Sequence, residues 1–334
     1  MTTPMFSVIM PCYNASAYLY EAIESVIKQS YHDWELLIVD DKSEDDSMNI
    51  VRNLSKDDQR IKLFGLTTHS GNPRKPREYA MKYATGDFFV FLDADDSIEI
   101  DYLKKFVECI EETNASVALP IMQNYDEMEK KIIGSLPSQN SVLKNIPMSG
   151  PDACLLTIPN YRIGCGGMAF HRNLYAFVRE ENSLLSDEII SDEIAERIIL
   201  FHASIVVQTD AIYKYIQRAQ SITHRKTEPK YYSLLLGNIH LLDFVKNNYD
   251  ESVKKQCVKK IAANMISLYK VYIQNKSKYS YKECKHISHI FATAYNVVHS
   301  EYSILSPTYK IWYFNFVSFK LICIILNFIK RRKE

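Results

Sequence analysis

Carboxylates at the ends of apolar runs are the residues of this chain best placed to do chemistry. Asp40-Asp41 follows WELLIV (Trp34–Val39), and Asp93-Ala94-Asp95-Asp96 follows FFVFL (Phe88–Leu92). A single aspartate after a strand often does no more than start a turn. Two such clusters on strands of one sheet point further, because carboxylates that face a phosphate need a bridging cation. An oxygen-only ligand set of this kind suits Mg²⁺ or Mn²⁺. Two more acidic pairs, Asp187-Glu188 and Asp192-Glu193, come just before a helical stripe at Ile194, Ile198 and Leu200-Phe201. Acidic residues near a helix start complement the helix dipole.

Residues 1–100 supply the scaffold that these side chains need. Phe6–Met10, Trp34–Val39, Ile61–Phe64 and Phe88–Leu92 read as strands. Ala15–Gln29, Asp45–Leu54 and Arg77–Ala84 read as helices, with Asn14 capping the first and Gly86 closing the third. Leu19, Ala22, Ile23, Val26 and Ile27 form one apolar stripe at helical spacing. Alternating strands and helices, with strands apolar on both faces, predict an α/β fold: a mostly parallel, Rossmann-like sheet covered by helices on both faces. Ligands bind such sheets beyond the carboxyl ends of the strands, where both acidic clusters fall. Neither G-x-G-x-x-G nor G-x-x-x-x-G-K-[ST] occurs, so a glycine-rich helix start does not hold a nucleotide here.

Composition narrows the partners. Lys and Arg together number 40, as do Asp and Glu, and this balance argues against a generic nucleic-acid binder. The balance is a cancellation: residues 1–225 hold 22 basic and 33 acidic side chains, residues 226–334 hold 18 and 7. Seven scattered cysteines without C-x-x-C spacing indicate neither a zinc site nor a disulfide framework, and fit buried thiols in a reducing compartment. Met1 to Phe6 lacks a charged n-region, so no signal peptide is expected. His286 and His289, three apart on a predicted helix with no third ligand nearby, read as a surface pair.

The segments FSVIMPCYNASAYLYEAIESVIKQSYHDWELLIVDDKSEDDS and GNPRKPREYAMKYATGDFFVFLDADD resemble glycosyltransferase family 2, inverting nucleotide-sugar enzymes of the GT-A fold. The resemblance covers residues 5–120, and more loosely 160–225. It rests on P-x-Y-N, V-D-D-x-S and F-L-D-A-D-D in this order. It implies that Pro11, Tyr13 and Asn14 line a base pocket, that Asp40 accepts a hydrogen bond from uracil, and that Arg77 lies near the nucleotide. Asp93-Ala94-Asp95 matches the D-x-D motif, with Asp93 toward ribose and metal and Asp95 as the direct metal ligand. Glu78 stands where the family commonly has Asn. By position, Glu193 is the implied base with Asp192 beside it, in reversed order from the family's pair, and Asp187-Glu188 is the alternative. YKYIQRAQSITH brings Arg218, Ser221 and His224 to the end of the catalytic domain, with His224 a candidate third metal ligand or diphosphate contact. IGCGGMAF (Ile163–Phe170) reads either as an acceptor-side loop or as a plain turn.

The expected organisation is a GT-A domain over 1–225, divided into a nucleotide-sugar half (1–120) and an acceptor-side half (121–225). A helical region over 226–334 follows. Ile311–Ile329 has 15 apolar residues in 19 before Lys330-Arg331-Arg332-Lys333. It would span about 29 Å as a helix. Lys320, Asn315, Ser318 and Asn327 weaken a full membrane crossing. An interfacial helix with Trp312 and Tyr313 at headgroup level and its basic tail on anionic lipid fits better. A helix packed on the domain or in a homo-oligomer interface is the alternative. The expectation is a cytoplasmic, membrane-peripheral, Mn²⁺- or Mg²⁺-dependent inverting transferase. It would move sugar from a UDP-type donor to a surface-glycan or lipid-linked acceptor. A noncatalytic glycan-binding or scaffold protein would have no need of both D-A-D and the acidic pair. A sugar nucleotidyltransferase would carry a glycine-rich basic loop where this chain has Cys12-Tyr13-Asn14-Ala15.

Overall fold

The computed structural model describes residues 4–137, 145–181, 191–218 and 227–305, and single positions 307, 310, 313, 319, 320 and 323. They divide into two units: one of 1–185 with 195–219, the other of 186–194 with 220–334.

The first unit is built on β1 (Phe6–Cys12), β2 (Trp34–Asp40), β3 (Ile61–Gly65) and β4 (Phe88–Phe91), with helices α1 (Leu19–Ile27), α2 (Ser47–Asp57) and α3 (Arg74–Met81) between them. β3, β2, β1 and β4 lie side by side, all parallel. Side chains alternate across each strand. Phe6, Val8 and Met10 of β1 enter one core with Leu19, Ala22, Ile23 and Val26 of α1 and Val51 of α2. α3 packs against β1 and β2, burying Pro76, Ala80 and Met81. Beyond β4 the chain adds β5 (Ser97–Ile98), α4 (Tyr102–Thr113), β6 (Val117–Asp126), β7 (Lys131–Leu136), α5 (Gly150–Leu155), β8 (Ala169–His171), α6 (Tyr175–Glu181), α7 (Ser191–His202) and β9 (Val206–Gln217). β8 runs antiparallel to β4 and β6, and β9 runs parallel to β6, so the sheet continues in the order β3-β2-β1-β4-β8-β6-β9-β5, with β7 paired to β6. α4 buries Tyr102, Leu103 and Phe106 in the same core as α1.

Two local expectations are corrected. Asn14 does not cap α1, which begins at Leu19 with no side-chain cap. Asn14 instead has φ 47° and its Oδ1 accepts a hydrogen bond from Glu44 N at 2.8 Å. Gly86 does not close α3, which ends at Met81. It is glycine because β1 passes against it: its N–H donates to Ser7 Oγ at 2.9 Å, and a Cβ there would sit 2.6 Å from Ser7 N.

The second unit contains α8 (Leu234–Asn248), α9 (Glu251–Asn275) and α10 (Tyr281–Ser300). Asp250 caps α9, and Ser280 with Glu283 forms a capping box at α10. Val253, Cys257, Ile261, Met265, Leu268 and Tyr272 make the buried stripe of α9. Tyr313, Phe319 and Cys323 are fully buried in this unit. Tyr313 Oη donates to Ala262 O at 2.7 Å, and Tyr295 Oη donates to Tyr313 O at 3.0 Å. Tyr313 therefore packs inside the helical unit and not at a headgroup level. Its hydroxyl caps an internal carbonyl, which satisfies the polar tip that an interfacial tyrosine would leave in water. Among the described residues, no helix is long and apolar enough to cross a membrane. His286 and His289 are both exposed on α10.

Candidate functional site

The parallel register brings the chemistry-bearing residues to one edge. Cys12 pairs with Asp40, Asp40 with Gly65, and Ile9 with Phe91. β1, β2 and β4 thus release Tyr13-Asn14, Asp40-Asp41 and Asp93–Asp96 at their carboxyl ends, where open α/β sheets bind ligands.

Asp40 and Asp41 divide their work. Asp40 Oδ2 accepts from Ser43 N at 3.0 Å, while its buried Oδ1 has no partner. Such an oxygen is costly unless a donor arrives. Burial, followed by the Asp40 charge, pushes the neighbouring Cys12 thiol up to about 12, so that sulfur stays protonated. Asp41 turns the other way and holds the loop after β3: its carboxylate accepts from Ser70 N at 2.8 Å and Ser70 Oγ at 2.9 Å. His69 Nδ1 also lies 2.9 Å from Asp41 Oδ2. The ring of His69 stacks on Tyr13, with centroids 4.0 Å apart and planes at 25°. Loop 42–47 fixes the Tyr13 turn from the other side, through Asn14 N to Ser43 Oγ and Ser16 N to Asp45, both at 2.9 Å. Burial opposes ionisation of Asp45, but its hydrogen bonds with Ser47 and Ser16 win and hold its carboxyl down at about 2.

The D-A-D turn has a basic residue on each side. Arg77 of α3 donates to Asp93 Oδ1 at 2.7 Å, and its guanidinium lies 4.9 Å above the Phe91 ring. Arg218, at the end of β9, donates to Asp95 O at 2.5 Å and lies 3.7 Å from Asp95 Oδ2. The same guanidinium pairs with Glu127 at 3.1 Å and covers the Tyr18 ring at 3.9 Å. Asp93 and Asp95 are about half exposed, at 43% and 49%. Burial, then the Asp93 charge, raises the Asp95 carboxyl above the usual range. Ala94 is buried and Asp96 is turned inward. Asp96 accepts from Tyr213 Oη at 2.7 Å and from Ile216 N at 2.9 Å, tying the turn to β9. Gly167, at φ 75°, passes so close to Tyr102 and Tyr213 that a Cβ would overlap both side chains, and its carbonyl accepts from Tyr102 Oη at 2.6 Å. Gly167 therefore packs tightly against α4 and against β9, the strand to which the D-A-D turn is tied.

Pro11, Tyr13, Asn14, Asp40, Arg77, Asp93, Ala94 and Asp95 all gather at this edge of the first unit. Glu193 is exposed on α7, in the stretch assigned to the second unit. The Asp192 side chain, Asp187, Glu188, Ser221 and His224 lie outside the described residues. Among the described residues, no three His, Cys, Asp or Glu side chains form a group that could hold a metal ion. Sequence reasoning missed His69, the Asp41 tether and the Asp96–Tyr213 latch. The only signal for Asp96 was its membership of the acidic run.

Known proteins resemble this chain in sequence and in fold. A family model described as Glycosyl transferase family 2 matches residues 7–174. An uncharacterized glycosyltransferase of Haemophilus influenzae is 44% identical over 105 residues, which is 31% of this chain and 42% of that protein. The poly(ribitol-phosphate) beta-N-acetylglucosaminyltransferase TarS of Staphylococcus aureus is 39% identical over 116 residues, 34% of this chain and 20% of TarS. The chain thus spans less than half the length of these two relatives. The Escherichia coli UDP-Glc:alpha-D-GlcNAc-diphosphoundecaprenol beta-1,3-glucosyltransferase WfgD is 31% identical over 194 residues, 56% of this chain and 70% of WfgD. In fold, the crystal structure of S. aureus TarS 1-349 in complex with UDP-GlcNAc superposes with a TM-score of 0.63 at 19% identity, covering 97% of this chain and 89% of that one. With the motifs at one sheet edge and the family model matching half of its length, the chain belongs to glycosyl transferase family 2.

Proposed function

We propose that the chain is a cation-assisted, inverting glycosyltransferase. It would move a sugar from a UDP-linked donor to a hydroxyl of a surface glycan or lipid-linked glycan at the cytoplasmic face of the membrane. One observation carries this reading: an unpartnered buried acceptor, Asp40 Oδ1, shares a sheet edge with two half-exposed carboxylates, Asp93 and Asp95. The first suits a base N–H and the second suits a charged diphosphate. The names of relatives support the acceptor class, since WfgD is named for a diphosphoundecaprenol-linked acceptor and TarS for poly(ribitol-phosphate).

The donor set fits Mn²⁺ or Mg²⁺. Asp93 and Asp95 offer hard oxygens whose mutual repulsion a cation relieves, and such ions take their remaining ligands from water and phosphate. When bound, the cation would offset the charge that develops on the departing diphosphate. Arg77 holds Asp93 Oδ1 and so aims the other oxygen at the site. Arg218 fixes the backbone of Asp95. Asp40 orients the base, and Asp96 keeps the turn from relaxing. Glu193 takes the acceptor hydroxyl's proton, with Asp192 beside it and Asp187-Glu188 as the alternative pair. His224 is retained as a candidate contact to cation or diphosphate. The basic helical third is proposed to face an anionic lipid surface.

The test is turnover of UDP-sugars with Mn²⁺, following UDP release. Asp95→Ala is expected to lose turnover by about a hundredfold or more, with an unchanged unfolding midpoint. Unchanged turnover refutes the assignment. Glu193→Gln should keep UDP binding and lose transfer, whereas an equal loss from Asp187→Asn alone would move the base to the earlier pair.

A further inference from the structure

We propose that the corner between α9 and α10 is a docking tip for an anionic lipid surface, with Tyr281 entering the headgroup layer and the lysines around it meeting the negative charge. This deepens the membrane-facing part of the reading above and rests on it. Residues 276–289 read KSKYSYKECKHISH, with Lys276, Lys278, Lys282 and Lys285 against Glu283 as the single acid. The helix makes one surface of them. At about 100° per residue, Tyr281, Lys282, Lys285, His286 and His289 fall within an arc of about 140° on α10. All five are exposed. Ile287, Ile290, Phe291 and Ala294 take the opposite face and are buried. Tyr281 is 86% exposed, whereas Tyr279 is held against the helices: its hydroxyl donates to Thr227 O at 2.7 Å and its ring stacks on Tyr272. The capping box of Ser280 and Glu283 fixes the start of α10, and Lys278 Nζ donates to Asn275 Oδ1 at 3.0 Å. A corner already fixed in this way loses little freedom on docking.

Helix stability does not account for these cations. Lys276 and Lys278 follow the C-terminus of α9, where the dipole favours positive charge, but Lys282 and Lys285 stand at the start of α10, where it opposes them. Elsewhere in the unit acids answer the lysines: Glu301 takes Lys246 at 3.2 Å and Lys254 at 2.9 Å. At the corner Glu283 is turned to Ser280, whose N and Oγ both donate to it at 2.7 Å. Among the described residues, the side chains of Lys276, Lys282, Lys285 and Tyr281 have no hydrogen-bond or ion-pair partner. An external negative charge supplies one. Specific phosphate recognition favours the planar fork of arginine, which residues 276–289 lack, whereas lysine is a compact point charge suited to a diffuse negative surface. An exposed tyrosine beside the cations matches the amphipathic ring that settles at headgroup level. Cations and ring together fit a lipid surface rather than a strand of phosphates.

The experiment measures co-sedimentation of the full chain with phosphatidylcholine vesicles made with and without phosphatidylglycerol. Wild type should bind the anionic vesicles only, and more weakly as added NaCl shortens the screening length. Each lysine near such a surface is worth about fivefold in binding, so Lys282→Gln with Lys285→Gln should lower partitioning about 30-fold. Tyr281→Ala should lower it as well, with an unchanged salt dependence. Unfolding midpoints should hold in both variants. Partitioning of the double variant equal to wild type would overturn the proposal, because the contact would then lie elsewhere on the chain. Wild type that binds neither vesicle would bring down the membrane-facing reading itself. Binding of wild type, but not the double variant, to soluble polyphosphate and to no vesicle would assign the corner to an anionic polymer and overturn the lipid reading. UDP titration with Mn²⁺ should give the same affinity for wild type and both variants. Absence of UDP binding in a wild type that still partitions would remove the donor reading and leave the corner standing.

Discussion

Asp40 offers the sharpest test of the site, because its two oxygens stand in different environments. Oδ2 accepts from Ser43 N at 3.0 Å, and Oδ1 is buried with no partner. In Asp40→Asn the single amide oxygen best stays on Ser43 N, which turns the NH₂ toward the place where a base N–H would arrive. The complex then loses a hydrogen bond to a charged acceptor, about 1.5–3 kcal/mol, and sets donor against donor. UDP affinity should fall by roughly 10- to 150-fold. The free protein should behave differently. A stranded carboxylate oxygen costs about 1–3 kcal/mol in the unliganded fold. Replacing it with a neutral amide should therefore leave the urea midpoint unchanged or raise it. Calorimetry with UDP and urea unfolding on the same preparations make the measurement. Unchanged UDP affinity would refute the role. A joint loss of affinity and stability would make Asp40 a structural residue instead.

Two further predictions concern what holds the site in place. Glu35 is buried in β2 and accepts from Ser7 Oγ and Thr85 N, each at 2.6 Å, with Lys62 at 2.6 Å on its second oxygen. Burial pushes its carboxyl up, but the bonds from Lys62, Ser7 and Thr85 outweigh that and hold it below the usual value. Its contribution to stability is therefore present above about pH 4.5 and lost as pH falls through the lowered folded value. Glu35→Gln should flatten that acid limb in urea midpoints taken from pH 3 to 7, and a limb identical to wild type would count against the network. Gly167→Ala should destabilise by about 2–4 kcal/mol, from the positive φ and the overlap with Tyr213 and Tyr102 together. Gly166→Ala should cost less, since its Cβ would meet mainly the flexible end of Met122. Equal unfolding midpoints for the two variants would show that the close approach is not a constraint.

Much of the scaffold was legible because its signals are local. FSVIM, WELLIV and FFVFL are apolar runs that a sheet buried on both faces requires, and the aspartates that end them fall at the carboxyl edge by chain direction alone. The caps were misread where a polar residue had a distant partner. Asn14 looks like a helix cap until Glu44 N comes within 2.8 Å, and Gly86 looks like a helix stop until β1 lies against it. Tyr313 reads as an interfacial aromatic in an apolar segment until its hydroxyl finds a hydrogen bond on Ala262 inside the helical unit.

The sequence by itself determined the acidic strand ends, the parallel block that carries them, and the motifs that mark the family. Those depend on residue type and short-range periodicity. Only the tertiary structure decided which aspartate does what. Asp40 keeps a free oxygen, Asp41 ties down the His69 loop, and Asp96 turns inward to Tyr213, although all three are the same residue type in the same kind of turn. Their partners lie from 3 to 120 residues away along the chain. A carboxylate's role follows from which donors reach it, and folding alone sets that.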